Sequence, residues 1–518
     1  MKATGIVLAS WWALALSACG GARPASIGPS AVDIPVRGAT PAPVVNDGSA
    51  REQPPPPVAA KESPFPALRR TELANGLDVA IAEAHALPLV QVRVIVRAGN
   101  GYGGTPGAAE LTAQLLKDGG TRTMKSAELL DRIESLGANL SIDVDMDSSR
   151  LGLAIPKDKL DAALSILAEV VTEPAFDERE LGKLKGRERD EAKDAARSNG
   201  TWMATRALFH ELYAQANPYA TYDLLPSEIA RINLLTVRDF HRKFYVPKNA
   251  SVILVGDLDG AAASKAVDKA FGTWKGGEPP KQEFPEAIPL ARRRVILANR
   301  PKSAQSDIFI VSLVPPRKSA DWPALRVANH VLGGVPAGRL FLDVREQRSL
   351  AYSAQSRVIE LAHGDQPLAV YVGTQTPKTG AAVQGAIEDM ERMTTSPPTS
   401  TETESARRYL SDVFAIRMET IGSIADMIAQ QVVFGLPEDY WDVYRAALRA
   451  TNATQAAASA AKTFHPDQAL LVVAGDADVI APVLSRFGEV TVVDPEHEFQ
   501  AVRTLAMDPN APLEAPPK

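Results

Sequence analysis

Alternating apolar and polar positions define the first strands of the folded body, which starts near residue 67. "LDVAIAEAHALPLVQVRVIVRAG" gives two strands with a turn between them. The second strand runs on through "VRVIVRAGNGYGGTPGAAELTAQLLKDGG" (92–120) into a glycine-rich turn and a short helix over 108–116. In "SAELLDRIESLGA" (126–138) the period changes to helical, with Leu129, Leu130, Ile133 and Leu136 on one stripe. Ser126 reads as its N-cap, Glu128 falls in the first turn and Gly137 closes it. Strand-like "ANLSIDVDMDSSRLGLAIP" follows, then a helix over 161–171.

The pattern then returns. "FYVPKNASVILVGDLD" (244–259) is answered by "FHPDQALLVVAGDADV" (464–479), and Gly475 lies 219 residues after Gly256. A second pair of strands, "RRVILANRPKSAQSDIFIVSLVPP", precedes a helical segment over 322–332, as the first pair precedes 108–116. Repetition at this length means duplicated domains rather than a solenoid. Locally paired strands with segregated helices predict an α+β fold, each domain a sheet with helices packed on it. The expected domains are 67–280 and 290–498, joined by "GGEPPKQEFPEAIP". The proline-rich stretch 499–518 reads as a loose tail.

Length and charge change this picture little. A chain of 518 residues is too long for one core, and a net charge of −6 argues against a nucleic-acid partner. The single cysteine, Cys19, excludes a disulfide framework and a cysteine-rich zinc site. It ends "MKATGIVLASWWALALSAC", whose apolar run is too short to span a bilayer and reads as a cleaved signal over 1–19. "LSAC" resembles the lipobox of bacterial lipoproteins. That resemblance implies lipidation of Cys19 and, because Gly20 follows, an outer-membrane anchor facing the periplasm. Residues 20–66, with "PPPP" at 54–57, read as an extended linker.

"GNGYGG" (99–104) satisfies the dinucleotide-turn spacing, but no acidic residue ends a second parallel strand about 20 residues on, so it reads as a strand-to-helix turn. The histidines are His85, His210, His241, His330, His363, His465 and His497; no two have close ligand spacing, and "HELYA" at His210 stops short of H-E-x-x-H. There is no G-x-S-x-G.

From "GAAELTAQLLKDGGTRTMKSAELLDRIESLGANLS", "FYVPKNASVILVGD" and "AGRLFLDVREQRSLAYSAQS" (337–356), the chain resembles the pitrilysin/insulinase-type zinc metallopeptidases, the inverzincins that include the mitochondrial processing peptidase. The resemblance covers nearly all of 67–490 and implies two homologous domains forming a half-shell. Catalytic members carry H-x-x-E-H on the helix after the glycine turn, where i, i+3 and i+4 share a face and two imidazoles hold Zn²⁺ beside a general base. Here Glu110, Ala113 and Gln114 occupy those positions, while Ala108, Leu111, Thr112 and Leu115 form the core stripe. No catalytic residue is therefore expected on this helix, and no metal. Glu191 aligns with the family's third ligand, on a stripe with Leu181, Leu184 and Glu188, and is a possible relic; composition alone reads this run as a solvated charged helix.

The resemblance also assigns Arg345 and Tyr352, seven residues apart, to substrate binding and oxyanion stabilisation. It implies a chain inactive alone that pairs with a homologous subunit carrying H-x-x-E-H and the zinc, and that admits unfolded peptides. Two other readings stay open: a structural or peptide-binding lipoprotein without a part in hydrolysis, and an autonomous metallopeptidase with a divergent metal site.

Overall fold

The computed structural model of the chain describes residues 63–213 and 216–514. The signal, Cys19 and most of the linker lie outside the described residues. Among the described residues thirteen strands are arranged in two sheets: β1 (Leu68–Glu72), β2 (Asp78–Glu83), β3 (Leu89–Val96), β4 (Ser141–Val144), β5 (Ser149–Pro156) and β6 (Ala250–Gly256) form the first. The second holds β7 (Arg294–Asn299), β8 (Gln305–Val314), β9 (Ala351–Val358), β10 (Gln366–Gln375), β11 (Leu470–Gly475), β12 (Val490–Asp494) and β13 (Gln500–Leu505).

The duplication is visible in strand order. The first sheet runs β1-β2-β6-β3-β5-β4 and the second β13-β12-β7-β11-β8-β10-β9. The core order β2-β6-β3-β5-β4 is thus repeated as β7-β11-β8-β10-β9. In both, only the first of these pairings is parallel, and the rest are antiparallel. The fold is α+β, as the alternating strands predict.

Each half also covers the other's sheet. The helix Gly200–Leu212 leaves the first half and packs on β7, β8 and β11, where Met203, Ala207 and Leu208 join Phe309, Val472 and Ala474 in one cluster. Reciprocally, the helix Ile421–Phe434 of the second half packs on β3 and β6, with Ile424 and Ile428 clustered with Ile95, Ile253 and Val255. Both faces of each central strand are thereby dry, which is why β6 and β11 read as unbroken apolar runs rather than alternating ones. A strap adds a third tie: Phe65 packs 6.4 Å from Trp441, and its N–H donates to Asp442 Oδ1 at 3.1 Å before the chain enters β1. The described residues all fall in one compact unit.

Two expectations need correction. Residues 499–514 are not a loose tail: β13 pairs antiparallel with β12, Ala511 is buried, and Arg486 donates to the carbonyls of Pro509 and Ala511 at 2.9 Å each. β13 is an edge strand exposed along most of its length, so no alternation marks it in the sequence. The second domain therefore runs past 498. Ser126 is the first helical residue rather than the cap; Lys125 holds that place without a side-chain bond. The connector between the halves is pinned, with Ile288 N–H donating to Leu212 O at 2.7 Å and Phe284 packed between the halves.

Candidate functional site

The glycine turn ends at Gly107, whose φ of 79° lets the chain reverse into the helix Ala108–Asp118. The rest of the turn is a connector. Asn100 and Gly101 donate N–H bonds to Asp145 O and Met146 O at 2.8 Å, and Tyr102 reaches His363 Nε2 in the second half at 3.0 Å.

Asn100 Oδ1 also accepts the Glu110 N–H at 3.2 Å. The Glu110 side chain is only 3% exposed. One carboxyl oxygen accepts from Gln114 Nε2 at 3.1 Å; the other, Oε2, is buried without a hydrogen-bond partner. Burial, with smaller repulsion from Glu188 and Asp143, pushes this carboxyl up to about 7, against the opposing bond from Gln114. Ala113 is fully buried. The helix face that resembles a metal site is therefore closed over by β4 and the helix Glu178–Ser198, and only Gln114, Lys117 and Asp118 retain partial exposure.

That second helix starts at Asp177, whose carboxylate caps Arg179 and Glu180. Leu181 and Leu184 point inward, Glu188 is mostly covered and Glu191 is exposed. Burial and then Glu191 raise the Glu188 carboxyl. Glu188, not Glu191, is the acid on this helix that acts on Glu110. A neutral-leaning carboxyl, an amide and a methyl group do not fit a zinc ion, which takes imidazole, thiolate or carboxylate donors. Among the described residues no group of three His, Cys, Asp or Glu is placed to hold a metal. The histidines are dispersed: His241 is held by Val171 O at 2.7 Å with burial pushing it down to about 4, and His210 is half-exposed beside Glu211.

Arg345 and Tyr352 are differently placed. Arg345 lies in the π-helical turn Phe341–Gln347, with its guanidinium carbon 4.5 Å from the Phe341 ring centroid and an ion pair to Glu346 at 3.5 Å. Its side chain is 35% exposed. Tyr352 is 48% exposed on β9, the edge strand of its sheet. Pairing jumps from Ser353–Gly373 to Ala351–Thr374, so Tyr352 is the unpaired residue of a β-bulge. A bulge re-aims a side chain out of the sheet's regular alternation.

Sequence reasoning missed three residues around Tyr352. On the neighbouring strands Tyr371 donates to Asp307 Oδ1 at 2.8 Å, and Asp307 stands opposite Gly373. A Cβ added at Gly373 would lie 2.6–2.8 Å from the Tyr352 ring and hydroxyl. An apolar strand interrupted by glycine, "LAVYVGTQ", was the one available signal.

A duplicated α+β body, with a closed ligand-free helix after its first glycine turn and an Arg/Tyr pair in its second half, defines an inactive-type metallopeptidase fold. Family comparison agrees. A profile described as insulinase (peptidase family M16) matches residues 78–220, and one described as the peptidase M16 inactive domain matches 231–410; the chain belongs to the M16 family. It is 25% identical over 371 residues to the non-peptidase homolog YmxG of Helicobacter pylori, covering 70% of this chain and 84% of that one. It is 26% identical over 259 residues to the probable inactive metalloprotease YmfF of Bacillus subtilis, covering 45% and 59%. The zinc protease PqqE of Helicobacter pylori is 22% identical over 387 residues, covering 72% and 85%. A peptidase M16 inactive domain from Pseudomonas fluorescens superposes with a TM-score of 0.73 at 24% identity, over 79% of this chain and 98% of that chain. A protease from Helicobacter pylori gives 0.74 at 19%, over 79% and 99%. The named-inactive relatives are consistent with a non-catalytic member of the family.

Proposed function

We propose that this chain is the zinc-free subunit of a two-chain zinc endopeptidase, held at the periplasmic side of the outer membrane by lipid on Cys19. The observation that carries this reading is the opposite treatment of two sites. Glu110 and Ala113 are sealed into the core, whereas Tyr352 is turned outward on a bulge with Arg345 also partly exposed. A purely structural subunit has no need of an exposed phenol seated on a glycine.

In this reading the partner's H-x-x-E-H helix holds the zinc, which activates water and polarises the scissile carbonyl. Arg345 contributes a fixed positive charge and planar donors for backbone carbonyls of an extended peptide. Tyr352 contributes a neutral O–H donor, since burial and the nearby Asp307 raise its phenol above the ordinary range. A donor aimed at the developing oxyanion lowers the barrier without covalent chemistry.

The test is reconstitution with a homologous chain bearing H-x-x-E-H. Cleavage of an unfolded peptide is expected only from the mixture. Arg345→Ala or Tyr352→Phe should lower kcat about 10²-fold, the usual cost of one oxyanion donor. A mixture indifferent to both substitutions overturns the reading.

A further inference from the structure

Three arginines meet at the π-helical turn Phe341–Gln347, and two of them are taken up by carboxylates. Asp343 Oδ2 receives Arg348 Nη2 and Arg392 Nη2 at 2.9 Å each, and Arg348 Nη1 reaches Glu388 Oε2 at 2.7 Å. Arg392 also donates to Asp389 beside it on the helix Thr379–Thr395. These bonds bolt the turn to that helix, and the buried Val344 seats over Gly385.

Arg345 is treated differently. Among the described residues its one ion pair is to Glu346, 3.5 Å from Nε, and that carboxylate is 55% exposed, where a pair is worth little. What holds the guanidinium is a ring: its carbon lies 4.5 Å from the centroid of Phe341, four residues earlier on the same face. A ring face attracts a cation through its quadrupole and uses none of its N–H donors, whereas a carboxylate takes them up. The path from the turn to Tyr352 is also fixed. Leu350 N–H donates to Val344 O at 2.9 Å, and Leu350 O accepts from Thr374 Oγ1 at 2.5 Å. Ser349, with a φ of 52°, has its carbonyl held by Lys378 Nζ at 2.9 Å.

We infer that Phe341 is a positioning residue for Arg345: its ring face holds the guanidinium in place and leaves the planar donors free for a peptide carbonyl. Arg348 and Arg392 show the alternative at the same turn, where carboxylates fix an arginine and neutralise it. The inference rests on the reading above for what Arg345 does, though not for its test. Phe341 thereby sets the aim of one donor, and the pinned segment 348–350 sets its spacing from the other, Tyr352.

The experiment uses the whole chain without a partner. Phenylglyoxal labels accessible guanidinium groups, and peptide mass spectrometry reads each arginine separately. Phe341→Leu keeps an apolar side chain and removes the ring face, and it should raise Arg345 labelling about threefold, the equivalent of a cation–π contact at a partly exposed site. Phe341→pentafluorophenylalanine keeps the ring's shape and reverses its quadrupole, so it should label like Phe341→Leu. Phe341→Tyr retains the face and should label like wild type. Arg242, 76% exposed, is the internal control and should not change. Wild-type labelling of Arg345 in the leucine or the fluorinated variant, or a parallel rise at Arg242, overturns the assignment. In the reconstituted enzyme Phe341→Leu should lower kcat/KM about threefold and add nothing to Arg345→Ala. Were Arg345→Ala silent there, the functional reading would fall while the labelling still decided the positioning.

Discussion

The two halves share one strand order but treat their polar groups in opposite ways. In the first half two carboxyls are drawn inward: Glu110 is buried with one oxygen unpartnered, and Asp147 is buried and accepts from Tyr219 at 2.5 Å. In the second, the edge strand β9 carries Tyr352 on a bulge, half-exposed, with its ring over Gly373. A helix without metal-ligating side chains can serve as core, because an alanine and a carboxyl that burial pushes toward its neutral form pack where charged groups could not. A displayed phenol persists only where something holds it against its own rotamer entropy.

The largest effect should come from forcing the first half to resemble an active site. Ala113→Glu places a carboxylate where a methyl group is now fully buried, and should destabilise the chain by about 4 kcal/mol or prevent folding. Adding Glu110→His and Gln114→His should not rescue it. Urea unfolding, with zinc titrated into the triple variant, measures both. A stable, zinc-binding triple variant would show a vacated site rather than a sealed one, and the contrast between the halves would fail.

Next in size is the pH dependence of the sealed site. The native Glu110 carboxyl lies near 7 against an ordinary value of 4.5, so the folded state holds its proton more tightly than the unfolded state. Its contribution is complete below about 4.5 and is lost as pH rises through 7. Asp147, raised to about 7 by burial and then by Asp145, acts in the same direction. Wild-type stability should fall from about pH 4.5 to pH 7 and level off above it. Glu110→Gln should flatten part of that fall, by about 3 kcal/mol well above pH 7. Parallel pH profiles of Tm for the two proteins would remove the neutral carboxyl from the comparison.

How far the sequence predicted this difference depends on the residue. The α+β class and the repeat follow from periodicity, which local sequence carries, whereas the missing ligand residues at 110, 113 and 114 are legible only through the family resemblance. The exchange of the helices Gly200–Leu212 and Ile421–Phe434 does not, since an amphipathic stripe does not say which sheet it meets. The Tyr352 bulge is equally hidden, because register depends on the partner strand. β13 escaped notice because an exposed edge strand has no buried face to impose alternation. Tyr102 in "GNGYGG" shows the converse case: a cofactor-like motif whose glycines admit close packing against Met146, Phe240 and Phe284.

The smallest predicted effect separates two neighbouring acids. Repulsion on Glu110 comes from Glu188 and Asp143, whereas Glu191 acts on Glu188. Glu188→Gln should therefore lower the Glu110 titration and recover stability above pH 7 by less than about 1 kcal/mol. Glu191→Gln, at an exposed position, should stay within about 0.5 kcal/mol of wild type at every pH. Zinc supplies the sharper discriminator, because a ligand that binds only the native state raises Tm. No zinc-induced rise is expected in either variant or in wild type. A rise in wild type that Glu191→Gln abolished would make that glutamate a working ligand, and would require the helix Glu178–Ser198 to turn an exposed carboxylate inward.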